Sequence, residues 1–341
     1  MKIHDLKITP FSIPFKFPIK TASKTFTVRE GIWVQFYSED LVGIGEASPL
    51  IHFSNESIKD AYYAIEGFNH AVNNEELDDE EFKLLIHAHT QDVPSAKFAL
   101  ETAFYDILSR KHNKNIAQFI NSNYKSSILV NGIVGIHSSL DGYQIMKVKA
   151  GFRNLFDEIE NMENIAQSFG PNVKFRIDLN GALDLARAIR FCKEMEKFNV
   201  DYIEQPIMKD NLEDLSELRY HTEIPIALDE SLTDFISAES IIEMQAADIF
   251  IIKPMISGGF YESGKIINLA ISENIRTIIT SSLESIIGQA ACLHLASAHE
   301  ISEACGLAND YLLNKDNASL TINAGVANIP NKNGLGFKLP L

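Results

Sequence analysis

Three acidic residues recur at nearly equal intervals in the second half of the chain: Asp178, Glu204 and Asp229, 26 and 25 residues apart, with Lys253 another 24 residues on. Each stands near the end of a short apolar run rich in β-branched residues, as in FRID, DYIE, IALD and FIIK. A period of about 25 residues fits one strand, one helix and two loops, so the pattern reads as successive βα units that present reactive side chains at one end of a parallel barrel. The three carboxylates offer only hard oxygen donors, with no His or Cys in the set. They suit Mg²⁺, with Mn²⁺ as its natural substitute, and suit zinc poorly.

One unit earlier stands KVK, residues 147–149. Strand alternation sends Lys147 and Lys149 to one face and Val148 to the other. Two ammonium groups on an inward face require carboxylates or a pocket. Lys253 enters the same pocket from the far side of the acid strands. Beside a divalent cation and a second ammonium, a lysine is expected to hold its proton less tightly and to serve as a general base. The chemistry this suggests is removal of the proton next to a metal-bound carboxylate, with the cation stabilising the enediolate. Reprotonation from the opposite lysine gives an epimer or racemate, whereas loss of a β-leaving group gives an alkene. Ser282 and Glu284, after the seventh strand candidate, are candidates for lining the substrate pocket or for capping the next helix, and both readings stay open.

The elements that must carry these residues are legible from Ser127 onward. Seven strand candidates, ILVNGIVG, IMKVKAG, VKFRIDLN, VDYIEQP, IPIALDE, DIFIIKP and RTIITSS, alternate with helical stretches such as LDLARAIRFCKEMEKF. An eighth, weaker strand near Ala304 to Ala308 would close a (β/α)8 barrel. Before it, β-rich runs and then helices around Ile58 to Phe68 and from Pro94 predict an α+β domain, with Ala99, Ala103 and Ile107 on a buried helix face. The expected fold is therefore α/β, a (β/α)8-type barrel (126–318) with an amino-terminal α+β capping domain (1–125). A carboxy-terminal segment (319–341) is expected to pack back on the cap. Trp33 falls in a cap strand and reads as core.

Composition narrows the class. With 341 residues, 45% of them hydrophobic, the chain has ample core; its formal charge of −16 disfavours a nucleic-acid or anionic-membrane surface. The three cysteines, Cys192, Cys292 and Cys305, lack CxxC spacing and read as reduced, packed thiols. The amino terminus does not read as a signal peptide and no apolar run reaches about 18 residues, so a cytoplasmic protein is expected. SGGF at Ser257 lacks the elements of a phosphate loop, and His294 with His299 lacks metal-ligand spacing.

Taken together, KVK, RIDLNGA, YIEQP, IALDES and IIKP with its following SGG resemble the enolase superfamily, and within it the muconate lactonizing enzyme subgroup. GIGEASPL near residue 43 extends the likeness into the cap. The resemblance implies metal ligation by Asp178, Glu204 and Asp229, acid/base roles for Lys149 and Lys253, and a substrate-carboxylate contact from Lys147. It implies Asn180 and Glu230 as partners of these groups, two substrate-selecting cap loops at about 17–27 and 48–54, and a small-molecule carboxylate substrate. It is compatible with a homo-oligomer. NGA after Asp178, TSSLESIIG and ACGLANDYLLNKD are most similar to o-succinylbenzoate synthases, which implies a carbon–oxygen lyase (hydro-lyase) of menaquinone biosynthesis. The alternative is a dipeptide epimerase of the Ala-Glu type, from which Asn309-Asp310 leans away because it is not the acidic DxD expected there. A catalytically silent barrel is a remote third reading, at odds with the complete set of reactive residues.

Overall fold

The β-rich start of the chain folds as three antiparallel strands in sequence order, β1 (Asp5–Lys20), β2 (Thr25–Ser38) and β3 (Leu41–Ala47). They belong to a computed structural model that describes residues 2–20, 25–50, 54–73, 75–138, 141–308 and 320–339. In GIWVQFY, period-two alternation buries Ile32, Val34 and Phe36 fully and leaves Trp33 and Gln35 half-buried. Behind the sheet lie α1 (Ile58–Val72), α2 (Asp79–His89) and α3 (Pro94–Lys111). Reciprocal caps start the first two, Ser57 with Asp60 and Asp78 with Glu81. Helix α3 starts with proline in its first turn and buries Ala99, Ala103 and Ile107, as their spacing predicts. It lies so close to β3 that a Cβ on Gly43 or Gly45 would run into the carbonyls of Ala103 and Ala99, an approach only glycine permits.

Helix α4 (Ile116–Ile120) and β4 (Ser127–Leu129) lead into a seven-stranded parallel sheet. Its strands lie in sequence order: β5 (Gly132–Ile133), β6 (Ile145–Lys149), β7 (Lys174–Asp178), β8 (Val200–Glu204), β9 (Ile226–Leu228), β10 (Ile249–Ile252) and β11 (Arg276–Ile279). The intervening helices are α5 (Leu155–Phe169), α6 (Leu185–Met195), α7 (Leu212–Arg219), α8 (Phe235–Glu243), α9 (Pro254–Ser257) and α10 (Gly259–Ser272), and α11 (Ile286–Ala298) follows β11. Met146, Val148, Phe175, Ile177 and Ile203 pack in the large core shared with the helices, while Tyr202, Ala227, Ile249, Ile251 and Ile278 form a second, separate core.

The expected eighth strand is not a strand. In its place Cys305 bridges to Val130 and Gly306 to Thr280, each as an isolated parallel pair between the first and last strands. A side chain on Gly306 would collide with Thr280, so the closest approach falls where no side chain stands. What forms is a parallel-strand half-barrel beside a separate antiparallel cap sheet. Near the carboxy terminus, β12 (Ile322–Asn323) pairs with β13 (Val326–Asn328), and β13 pairs with β4. The Leu335 N–H donates to Asp106 Oδ1 at 2.6 Å, and its carbonyl accepts from His294 Nε2 at 3.1 Å, which ties this segment to α3 and α11. All three cysteines are buried and unpaired. Among the described residues no helix is long and apolar enough to cross a membrane.

Two buried carboxylates of the cap terminate helices of the sheet domain. Glu46, at the end of β3, accepts from the Ser285 N–H (2.9 Å) and the Gly288 N–H (3.0 Å) at the start of α11. Glu101, on α3, accepts from the Tyr261 N–H (3.0 Å) in the first turn of α10, a helix without a side-chain cap of its own. Both satisfy donors that a helix start otherwise leaves orphaned and place negative charge at a positive helix end. A Cβ on Gly259 would stand 2.5 Å from Glu101 Oε2, and the residue has φ +91°. Glycine is required there for the carboxylate to enter.

Candidate functional site

Register places the reactive residues in one row. Lys149 pairs with Asp178, and Asp178 with Glu204, across β6, β7 and β8. Asp229 follows the last residue of β9, and Lys253 the last of β10. The strand order β6 to β10 therefore sets Lys149 and Lys253 on opposite flanks of the three acids. Asp178 and Glu204 are each 1% exposed and Asp229 is 6% exposed, a depth at which an ionised carboxylate requires a partner.

Ammonium groups supply those partners. Lys147 Nζ lies 2.8 Å from both Asp178 Oδ2 and Glu204 Oε1. Lys149 Nζ lies 2.6 Å from Asp178 Oδ2 and donates to Asn180 Oδ1 at 2.7 Å. Lys253 Nζ lies 2.6 Å from Asp229 Oδ2. Lys147 and Lys253 are mostly buried, whereas half of the Lys149 side chain is open to solvent.

With no cation on the acids, the field around the lysines is set by burial and by the carboxylates themselves. Burial disfavours the charge on Lys147, but Asp178 and Glu204 outweigh it and hold the ammonium well above the ordinary lysine value. Burial of Lys253 is likewise overcome by Asp229 and then Glu230. Carboxylates are the nearest charges to these two lysines, and that reverses the sign. Burial and then the Asp178 charge push Glu204 up to about 8. Asp178 is held below the usual carboxylate range because Lys147 and Lys149 overcome the effect of its burial. One raised acid is the mark of a site whose four acids, Asp178, Glu204, Asp229 and Glu230, outnumber its three ammonium groups.

Among the described residues no three acidic, His or Cys side chains converge as a ready-made metal cluster, since lysines stand between the carboxylates. The donor set nevertheless fits a hard divalent cation. It is anionic, all oxygen and buried, and two of its carboxylates already aim at one cationic nitrogen.

The turns beyond the strands hold the row in place. Asn180, at φ +44°, donates from Nδ2 to Glu230 Oε1 at 2.8 Å while accepting from Lys149, so it joins two residues that the sequence named separately. Burial raises the Glu230 carboxyl, and Asp229 adds to the effect. Gln205 was missed. Fully buried at φ +38°, it accepts at Oε1 from the Asp229 and Ser231 N–H groups, both at 3.1 Å, and donates to Ser231 Oγ at 2.8 Å. Its only sequence signal is its place directly after Glu204. Arg176 was missed as well, although it faces inward by the same alternation as Asp178. Fully buried, it donates to Asp201 Oδ2 at 2.9 Å and lies over the Tyr202 ring, 4.8 Å from its centroid.

Ser282 and Glu284 lie in the turn after β11. Glu284 is fully buried and accepts from the Ser281 hydroxyl and, at 2.8 Å, from the Ser282 N–H. Its carboxyl is raised, chiefly by burial. The Ser282 hydroxyl is buried with no hydrogen-bond partner. Of the expected cap loops, residues 21–24 and 51–53 lie outside the described residues, as does the Asn309-Asp310 pair.

Comparison with known proteins places this geometry among relatives. A profile described as Enolase C-terminal domain-like matches residues 137–340, and one described as the MenC N-terminal domain matches residues 3–107. The N-succinyl-L-Arg/Lys racemase of Bacillus cereus is 25% identical over 360 residues, covering 99% of this chain and 96% of that protein. The substrate-liganded L-Ala-D/L-Glu epimerase of Bacillus subtilis superposes with a TM-score of 0.89 at 26% identity, covering 98% of each chain. The dipeptide epimerase of Enterococcus faecalis, solved with Mg and L-Leu-L-Tyr, gives 0.89 at 24% identity, covering 98% of this chain and 99% of that one.

These matches overturn the expected carbon–oxygen lyase. The similar proteins are racemases and epimerases, which are isomerases. Two of the segments that suggested a synthase have structural contacts of their own, NGA in the Asn180 turn and TSSLES at the junction with the cap, while most of the third, from residue 309 on, lies outside the described residues. Such contacts do not distinguish what happens after the proton leaves.

Proposed function

Because the chain belongs to the Enolase C-terminal domain-like family, we propose that it inverts the α-carbon of an amino-acid-derived carboxylate, with a dipeptide as its substrate. The observation that carries this reading is the placement of Lys149 and Lys253 on opposite flanks of the acid row. Inversion needs one group to take the proton from one face and another to return it to the other face. A synthase reading needs only one such group.

In this reading Asp178, Glu204 and Asp229 hold Mg²⁺, or Mn²⁺ in its place, as the donor chemistry and the Mg in the Enterococcus faecalis epimerase support. Bound there, the cation would offset the negative charge that grows on the substrate carboxylate as the proton leaves. Lys147, reaching inward from β6, contacts that carboxylate. Lys149, oriented by Asp178 and Asn180, and Lys253, beside Asp229, alternate as base and acid. Asn180 and Glu230 keep the two sides in register.

The test is incubation with L-Ala-L-Glu and Mg²⁺ in D₂O, following α-deuterium and diastereomer ratio by NMR. Wild type should do both, and Lys149→Ala and Lys253→Ala should each lose inversion while retaining exchange from opposite epimers. Absence of exchange in wild type would refute the dipeptide reading. N-succinyl-L-arginine is the second substrate to try, because the Bacillus cereus racemase matches 99% of this chain.

A further inference from the structure

Arg29, on β2 of the cap, is 4% exposed and lies outside the acid row, yet it reaches the turn after β11 that carries Ser282 and Glu284. Its guanidinium forms no ion pair among the described residues and instead donates to backbone carbonyls, the neighbouring Glu30 (3.2 Å) and those of two more distant segments. On the cap side these are Pro49 (3.1 Å) and Ser48. On the barrel side they are Leu283 (3.0 Å) and Ser282 (3.3 Å), in the turn that follows β11 next to the strand leading to Lys253. A planar five-donor fork can hold several fixed carbonyls at once, which a lysine cannot.

The barrel segment needs such a hold. Leu283 has φ +67°, a conformation that a bulky side chain rarely adopts and that costs of order 1–3 kcal/mol unless its surroundings impose it. Here its N–H donates to Ser281 Oγ at 3.0 Å, its carbonyl accepts from Arg29, and its side chain packs on the cap cluster of Phe11, Ile13 and Phe15. Trp33, stacked on Phe11 with centroids 4.4 Å apart, donates to Ser285 Oγ at 3.3 Å from the same side.

We propose that Arg29 is a positioning residue that clamps the Ser48-Pro49 segment of the cap to the Ser282-Leu283 turn of the barrel, so that these two walls of the site act as one specificity-setting unit. The proposal deepens the epimerase reading and rests on it for the meaning of specificity. The clamp itself is physical and has a readout of its own. Arg29 touches neither the acids nor Lys149 and Lys253, so its loss should weaken substrate selection and leave proton transfer intact.

The experiment compares wild type, Arg29→Met and Arg29→Lys in the Mg²⁺-loaded full-length protein. Amide hydrogen exchange is measured over residues 280–288, with β7 and β8 as internal controls. Dipeptide kinetics are run beside it, with Arg29→Lys deciding the outcome if Arg29→Met fails to fold. The expected result is exchange at residues 282–285 faster by about tenfold or more with β7 and β8 unchanged. KM should rise about tenfold or more and the preference among dipeptides flatten, with kcat within about threefold of wild type. Unchanged exchange at 282–285, or a fall in kcat at constant KM, would overturn the clamp. If wild type turns over neither a dipeptide nor an N-succinylamino acid, the epimerase reading fails while the exchange comparison still decides whether the clamp exists.

Discussion

Replacing Lys147 by methionine isolates the electrostatics of the acid row. The ammonium is within 2.8 Å of two carboxylates that are each 1% exposed, and of those two only Asp178 has another lysine, Lys149, on it. Methionine keeps the stem's packing and, above the Glu204 value of about 8, leaves two buried negative charges facing each other. Removing one partner of a buried ion pair costs about 3–5 kcal/mol, because the charge left behind is uncompensated. At about 2–4 °C per kcal/mol, Lys147→Met should melt roughly 6–20 °C below wild type in EDTA. A divalent cation binding Asp178 and Glu204 supplies the missing charge and meets one fewer repelling ammonium. The gap should therefore narrow in saturating Mg²⁺, and calorimetry should show tighter Mg²⁺ binding by the variant. Melting curves with EDTA and with Mg²⁺ check this. A loss below about 1 kcal/mol, or a gap that Mg²⁺ leaves unchanged, would refute the reasoning that these carboxylates share a cation site.

Gln205→Leu strips the Asp229 and Ser231 N–H groups of their acceptor, so urea melts should show a loss of about 2–4 kcal/mol and Mg²⁺ titration a weakening of about tenfold or more. Glu101 is buried, and burial pushes its carboxyl up to about 7 against the Tyr261 N–H and nearby Lys97. The folded state thus binds that proton more tightly than the unfolded chain, so this group's contribution to stability falls as pH rises from about 4.5 to about 7 and is flat above. Glu101→Gln should remove that slope, read as a melting-temperature difference from wild type that shifts in the variant's favour between pH 5 and 8. Gly259→Ala must place a methyl 2.5 Å from Glu101 Oε2 at φ +91° and should cost about 1–3 kcal/mol in a urea melt, part of it recovered when Glu101 is also Ala.

What the sequence revealed follows from period. Strand alternation alone aims Lys147, Lys149, Asp178 and Glu204 at one interior, and the near-constant spacing aligns their strand ends. Helix α3 was legible for the same reason, since Ala99, Ala103 and Ile107 mark one face. Helix α2 escaped notice because its polar sequence buries only Phe82 and Ile86. The eighth strand was over-read: a few residues with strand-like character pair in isolation where Gly306 meets Thr280. Gln205 and Arg29 act through backbone groups of segments far away in sequence, and a linear reading has no access to such partners. The choice of lyase failed at a different link, since segments that build turns and junctions were taken as marks of a reaction.

The two carboxylates that cross from cap to barrel bear on how such proteins can be recombined. Glu46 and Glu101 end helices α11 and α10, which belong to the other domain. A cap transplanted onto a barrel that lacks the opposing backbone amides would carry two acids into a dry junction, Glu46 keeping only the Ser48 hydroxyl from its own side. A barrel given a foreign cap would leave the start of α10 without a side-chain acceptor and the start of α11 with Ser285 alone. Gly259 makes the dependence mutual, because any larger residue on the barrel side shuts out the incoming carboxylate. Cap and barrel are therefore matched to each other at this joint, and an exchange of either domain must carry its partner's half of these contacts with it.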